Sequence, residues 1–347
     1  MAVLVTGGAG FVGSHVAEYY ARRGEEVVVF DNLSRAEILQ ADQKTAFYNW
    51  NHLRDNYSNI RLVKGDVREG NDVIKASREA EIIVHAAAQV AVTTSVRDPK
   101  TDFEINALGT FNFLEAARRS PTNPTVIYCS TNKVYGSNVN RIPVLDEGIR
   151  YSFADKRFRS GIPEDFPTDL CEHTPYGCSK LAGDLYAQDY AHTYGLKTGV
   201  FRMSCIYGER QFGLEDQGWV AWFTIAALLD RPITIYGDGK QVRDVLHVSD
   251  LVRVYDSFVN SNLKHGVFNV GGGPNNTLSL LELLDMLETL TGKRANTVYS
   301  EWRPGDQRVY ISDITSAQER LGWRPKVSPR EGVRKLVDWV NHNKDLF

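Results

Sequence analysis

The fold is decided by Ala2-Val-Leu-Val-Thr6 running straight into Gly7-Gly-Ala-Gly10-Phe-Val-Gly13. Four apolar residues make a short strand, and the apolar spacing over Phe11–Arg23 makes a helix, so the glycines form the turn between them. Glycine permits the tight turn, lets the backbone approach a phosphate and lets the helix pack on the strand. The helix N-terminus adds free N–H groups and the positive end of its dipole, carried by Gly10, Phe11, Val12 and Gly13.

The same alternation continues along the chain. Glu26–Phe30, Ile60–Val63, Glu81–His85, Thr125–Cys129 and Thr198–Phe201 are short, near-continuous apolar runs, as expected of strands covered on both faces. Glu69–Ala80, Thr101–Arg119 and Pro175–Tyr194 have helical spacing between them. Repeated strand–helix–strand units predict an α/β, doubly wound parallel sheet. Beyond about residue 205 the rhythm loosens into helices over Val220–Leu229, Leu278–Leu290 and Arg330–Asn341 with short strands such as Ile233–Tyr236, which predicts a smaller α/β lobe. Residues 1–205 with roughly 241–270 are assigned to the sheet domain, and roughly 206–240 with 271–347 to the lobe. Two stretches interrupt the pattern: Ser34–Asn59, where a helix is expected, and Asn138–Thr174, both read as functional insertions.

Composition excludes several classes. The chain has 347 residues, 42% of them hydrophobic, and a formal net charge of -3, so no bulk basic field draws nucleic acid or an anionic membrane. Cys129, Cys171, Cys178 and Cys205 show neither paired nor metal-ligand spacing and are expected to be buried, reduced thiols, with no metal site. The longest apolar runs, Ile82–Val92 and Trp219–Leu229, are far shorter than the ~20 residues of a membrane helix. A cytoplasmic protein is the expectation.

Thr174-Pro175 reads as N-cap and first residue of a helix, which puts Tyr176 and Lys180 four apart on one face. Thr131 follows the fifth predicted strand in Ser130-Thr-Asn-Lys-Val-Tyr-Gly136. With the glycine loop, these residues resemble the extended short-chain dehydrogenase/reductases, specifically the NAD-dependent sugar-nucleotide epimerase/dehydratase family, whose fold is a Rossmann-type sheet with a substrate lobe. The resemblance implies Thr131, Tyr176 and Lys180 as the catalytic group. It also implies tightly bound NAD, regenerated in each cycle. Asp31, 18 residues after Gly13, would accept from a ribose 2′-hydroxyl and repel a 2′-phosphate, with Asn32 beside it and Arg35 as the one opposing feature. Asp66 and Val67 would meet the adenine, and Ala86, Ala87 and Ala88 would pass under the pyrophosphate.

A phenol serves as base only if acidified: at pKa ~10 it is roughly 3 units short at pH 7, about 4 kcal/mol. A Lys ammonium at ~4 Å in an effective dielectric of ~20 supplies roughly that amount, and the nicotinamide cation more. Family dehydratases carry Asp-Glu after the Thr, whereas Asn132 and Lys133 stand here, which favours epimerisation over elimination. The blocks Ser130–Gly136, Thr174–Lys180, Arg202–Gly213 and Glu215–Trp222 most resemble the CDP-paratose 2-epimerase (CDP-tyvelose epimerase) group. That similarity implies oxidation at C2 of a CDP-hexose, reorientation of the keto sugar and hydride return. A 4-epimerase, another sugar-nucleotide oxidoreductase or dehydratase, and a non-catalytic NAD sensor are the alternatives.

By the same resemblance Arg243 and Arg303 would grip the diphosphate, with Asn132, Lys133, Arg210 and Tyr236 near the substrate and Lys240 a lesser candidate. Trp219, Trp222, His173, Glu164 and Asp165 are further possibilities, while His85 and His247 read as structural. A homodimer or homotetramer is expected from the family.

Overall fold

A computed structural model of the chain describes residues 1–38, 42–303 and 305–347. Residues 39–41 of the Ser34–Asn59 insertion, and residue 304 beside Arg303, lie outside the described residues. Two compact units are present. The first comprises residues 1–134, 174–202 and 252–268, and the second residues 135–173, 203–251 and 269–347.

The first unit is built on the expected sheet. Its strands are β1 (Ala2–Thr6), β2 (Glu26–Asp31), β3 (Ile60–Lys64), β4 (Ile82–His85), β5 (Thr125–Thr131), β6 (Thr198–Met203) and β7 (His265–Val270), in the spatial order β7-β6-β5-β4-β1-β2-β3. The pairs β1–β2, β2–β3, β1–β4 and β4–β5 are parallel. Strand order reverses between β1 and β4, the switch point outside which open α/β sheets bind ligands. All four residues of β4 are buried, Ile82, Ile83 and Val84 by their apolarity and His85 with its ring hydrogen-bonded. Helices α1 (Phe11–Arg22), α2 (Gly70–Ser77), α3 (Gly109–Arg119) and α4 (Pro175–Tyr194) follow the expected pattern, and a core of Leu4, Phe30, Ile83, Phe113, Val126 and Tyr128 lies between them and the sheet.

One helix departs from its expectation. Thr101–Arg119 is not continuous: a helix over Pro99–Phe103 passes into a π-helical turn, Glu104–Leu108, before α3 begins. The wider turn accompanies a buried polar cluster around Asn106, whose Nδ2 bonds to Gln89 O and to Asp102 Oδ1 at 3.0 and 3.1 Å.

The second unit holds small sheets and the helices Trp219–Leu228, Leu280–Thr291 and Pro329–His342, packed around Tyr207, Phe223, Ile233, Leu287 and Leu336. The division differs from the expected one, because residues 135–173 and 241–251 belong here. Their backbones are tied in: Tyr151 N bonds to Lys240 O at 2.9 Å, Ile162 N to Ile311 O at 2.7 Å, and Val242–His247 pairs with Cys205–Tyr207. All four cysteines are free, but Cys178 is exposed and Cys171 and Cys205 partly so, which corrects the expectation of buried thiols. Among the described residues no helix is long and apolar enough to cross a membrane.

Candidate active site

In the first unit the glycine loop closes as its composition requires. Gly7 N donates to Phe30 O and Gly10 N to Gly7 O, both at 2.9 Å, and α1 starts at Phe11. The glycines are fixed for different reasons. A Cβ on Gly7 would lie 2.7 Å from the Ala87 backbone, with φ at +64°, and one on Gly13 would lie 2.3 Å from Gly7 O. Gly10 is different, since a Cβ there would meet only Gly7 O, at 3.0 Å. Glycine at position 10 therefore keeps space clear before the α1 N-terminus, where the amides of Phe11, Val12 and Gly13 have no intrahelical acceptor. Such a cradle fits a pyrophosphate.

Asp31 ends β2, its carboxylate taking the amides of Ala9 at 3.0 Å and Leu33 at 2.8 Å. Burial raises its pKa against these hydrogen bonds, and the Arg35 charge pulls the same way as they do. Asn32 Nδ2 donates to Asp66 Oδ2 at 2.9 Å, and Asp66 pairs with Arg68 at 2.7 Å, which pulls its pKa down to about 2. Val67 is buried beside them. Thr6 holds the small-residue loop, its carbonyl accepting from Ala86 N at 3.2 Å and its Oγ1 from Ala87 N at 3.1 Å. The glycine loop, Asp31, Asn32, Asp66, Val67 and Ala86–Ala88 thus share the carboxyl-terminal edge of the sheet around its switch point. The glycine turn, the Asp31 carboxylate and the small-residue loop Ala86–Ala88 together fit NAD.

Thr131 ends β5, and Tyr176 and Lys180 lie in the first turns of α4, which Thr174 caps by accepting from Gly177 N. Gly183 presses α4 onto the sheet, since a Cβ there would lie 2.3 Å from Tyr128 Oη. Tyr128 Oη in turn donates to Lys180 O at 3.1 Å, and the Lys180 ammonium sits 4.4 Å from the Tyr128 ring centroid. Lys180 is only 3% exposed. Burial pushes its pKa down to about 8 against the attraction of Cys129, Asp184 and Asp102. Tyr176 is partly exposed as a residue, yet desolvation raises its pKa to about 12, opposed by a hydrogen bond with Thr131. In the chain by itself burial therefore outweighs the Thr131 hydrogen bond. Asn132 is buried and Lys133 partly so, in the turn after Thr131.

Asp184, Ser179 and Asp102 escaped sequence reasoning as supporting residues. Asp184, one helical turn after Lys180, is clamped by Ser130 Oγ at 2.6 Å and by Arg202 Nε and Nη2 at 3.0 and 3.1 Å. Ser179, next to Lys180, bonds to the buried Asp102. The detectable signal was polar residues on an inward helix face. His85 is held between Thr6 Oγ1 at 2.8 Å and Thr110 Oγ1 at 3.1 Å, and burial drops its pKa to about 3, so it is a neutral structural imidazole.

In the second unit Arg303 lies over Tyr236, its guanidinium 3.9 Å from the ring centroid, and pairs with Asp216 at 2.8 Å. Tyr236 Oη donates to Glu215. Arg243 pairs with Asp306 at 2.6 Å and donates to Val242 O. Both guanidiniums carry carboxylate partners in this structure. Arg210 is buried at φ 62°, a left-handed conformation rare for a long side chain, and Lys240 pairs with Asp146. Trp219 and Trp222 pack against the unit's core, His173 Nδ1 donates to Cys171 O within its own loop, and Glu164 takes Asn269 N. His247 lies between Ser249 and Glu209.

Residues 3–271 match the NAD dependent epimerase/dehydratase family. The chain belongs to that family. It is 43% identical to the CDP-paratose 2-epimerase of Salmonella typhi over 98% of this chain and 99% of that protein. Among solved structures it is similar to the UDP-glucose 4-epimerase of Thermotoga maritima with UDP-glucose (TM-score 0.80, 32% identity, 99% of this chain and 100% of the other). It is also similar to the UDP-glucose 4-epimerase of Thermus thermophilus in complex with NAD, with a TM-score of 0.79 and 32% identity over 99% of this chain and 100% of that one. Membership in the NAD dependent epimerase/dehydratase family agrees with the α/β fold and with the loop that fits NAD.

Proposed function

We propose that this family member is a nucleotide-sugar 2-epimerase acting on a CDP-hexose, of the type that interconverts CDP-paratose and CDP-tyvelose. The observation that carries the reading is 43% identity to a CDP-paratose 2-epimerase along almost the whole of both chains. Asn132-Lys133 after Thr131 supports it, because neither residue supplies the acid and base that elimination of water needs.

Gly7, Gly10, Phe11, Val12, Gly13, Asp31, Asn32, Asp66, Val67 and Ala86–Ala88 hold NAD in this reading. Bound NAD supplies a hydride acceptor that gives the same hydride back. Thr131 and Tyr176 bind the sugar hydroxyl, Tyr176 removes its proton and later restores it, and Lys180 stabilises the phenolate. Arg243 and Arg303 take the diphosphate in place of Asp306 and Asp216, since guanidinium suits bidentate phosphate contacts. Arg210, Tyr236, Asn132 and Lys133 complete the substrate contacts.

Self-association through the outer faces of α3, α4 and the Pro99–Phe103 helix belongs to the same reading. Phe103, Phe111, Leu185 and Tyr186 are 57%, 38%, 54% and 48% exposed, and Phe111 and Tyr186 form one edge-to-face pair. So many large apolar side chains on neighbouring helices suit a second copy of the chain.

The test is incubation with CDP-, UDP- and GDP-hexoses in D2O, followed by NMR, with any bound NAD identified after denaturation. Equilibration at C2 of a CDP-hexose without deuterium uptake is expected. A 4-keto-6-deoxy product carrying solvent deuterium, or inversion at C4, overturns the reading. Tyr176→Phe should abolish turnover while NAD stays bound.

A further inference from the structure

Gln89, Asp102, Asn106 and Ser179 are each 3% exposed or less and form one polar cluster in the first unit. They come from three separate segments: the loop after β4, the helical stretch that contains the π turn, and α4. Asp102 Oδ2 accepts from Ser179 Oγ at 2.5 Å, and Asp102 Oδ1 accepts from Gln89 Nε2 at 2.9 Å and Asn106 Nδ2 at 3.1 Å. Gln89 and Asn106 are further joined through Gln89 N to Asn106 Oδ1 at 2.9 Å and Asn106 Nδ2 to Gln89 O at 3.0 Å.

A buried carboxylate is a poor device for stability alone, since apolar residues of similar volume hold a core at least as well. Its placement gives it another use. Ser179 Oγ also lies 3.1 Å from Tyr176 O, so the group that Asp102 holds sits inside the turn bearing Tyr176 and next to Lys180. On its other side the cluster holds Gln89, the residue after Ala86–Ala88. π turns commonly occur where a helix has been adjusted to a site, and this one supplies Asn106.

Electrostatics act over the same distances. Lys180 is acted on first by its burial, then by Cys129, Asp184 and, least, Asp102, with the Tyr128 ring beneath its ammonium and the neutral His85 near. Tyr176 is acted on by Thr131, Asp102 and Cys129, and Asp102 itself by Lys180 and Asp98.

We propose that Asp102 is a positioning residue for the reaction: through Ser179 it fixes the turn carrying Tyr176 and Lys180 against the 86–91 loop, and its negative charge adds to that of Asp184 in favouring the ammonium of the buried Lys180. The proposal rests on the roles given above to Tyr176 and Lys180.

Asp102→Asn, Ser179→Ala, the double variant and Ser179→Thr are compared with the parent as holoenzymes, by NAD content, kcat, KM and the pH profile of kcat. Each of Asp102→Asn and Ser179→Ala is expected to lower kcat about 10- to 100-fold with KM nearly unchanged, as a small misplacement of reacting groups does. The double variant should be no slower than the slower single variant, and Ser179→Thr, which keeps the hydroxyl, should recover most of the loss. In Asp102→Asn the alkaline limb of kcat should move to lower pH, because removing a negative charge lets Lys180 lose its proton sooner. Parent-like kcat in both single variants, losses that multiply in the double, or an unmoved alkaline limb overturns the proposal. If Asp102→Asn does not fold, the contrast between Ser179→Ala and Ser179→Thr decides it. Tyr176→Phe separates the two levels: an active Tyr176→Phe overturns the catalytic reading and this proposal together, whereas an inactive one beside a parent-like Ser179→Ala overturns this proposal alone.

Discussion

Lys180 is a cationic side chain inside the protein, and the burial of its ammonium opposes folding. Its pKa is depressed from 10.5 to about 8, so the penalty is fully present below pH 8, shrinks as pH rises from 8 to 10.5, and is gone above that. A depression of that size corresponds to about 3 kcal/mol. Lys180→Met, which keeps the apolar stem, should therefore lose turnover yet unfold several degrees higher at pH 7, with the gap narrowing toward pH 10.5. Calorimetry across that range checks it, and a lower melting temperature at pH 7 refutes it. Tyr176 gives a second residue-scale expectation. With its pKa near 12 in the chain alone, its share of the tyrosinate absorbance, found by subtracting Tyr176→Phe, should appear only in strong alkali without NAD. It should shift to lower pH when NAD+ is bound, since a cation beside the hydroxyl favours the phenolate. An unchanged titration on loading with NAD+ would remove the bound cation as the source of acidification.

At the scale of elements, the site depends on how closely α4 lies on β5. Gly183 sets that distance, because a Cβ there would overlap Tyr128 Oη. Gly183→Ala should lower the melting temperature, by about 1–3 kcal/mol in stability, and depress kcat as well, since the helix that must shift carries Tyr176 and Lys180. Gly70→Ala is the control: nothing lies within 4 Å of a Cβ there and its φ is ordinary for a helix, so it should be neutral or slightly stabilising. Thermal melts and kinetics on both variants check the contrast. The same elements show what could be read in the sequence. The strand–glycine–helix start and the Thr174-Pro175 cap are legible because their causes are local: apolar runs, missing side chains, a capping hydroxyl. The π turn was not legible, because the cluster that accompanies it joins Asp102 to Ser179, residues far apart in sequence. The membership of 135–173 in the second unit was equally hidden, since backbone bonds to Lys240 and Ile311 make it. The phenol's raised pKa follows from burial, which motif spacing does not report.

At the scale of the whole molecule, a net charge of -3 provides no general field for an anionic ligand, so the proposed function leaves its recognition to a few placed guanidiniums. Placement depends on the chain keeping its shape, and the outer faces of α3 and α4 carry apolar surface that a lone chain leaves in water. Leu185 is 54% exposed and follows Asp184, whose ion pair with Arg202 anchors α4 from inside. Covering Leu185, Tyr186, Phe103 and Phe111 with a second copy would hold the same helix from outside. Leu185→Glu places a charge in that face without touching any described site contact, and burying it against a like charge at a two-fold contact is unfavourable. The parent is expected to run as a dimer or larger assembly by light scattering, and Leu185→Glu as a monomer that still retains NAD. Its melting temperature should then fall and lose its dependence on protein concentration, because association stabilises the folded chain by mass action. A parent that is monomeric at tens of micromolar, or a Leu185→Glu variant of unchanged size, would show that these apolar side chains serve no contact between copies.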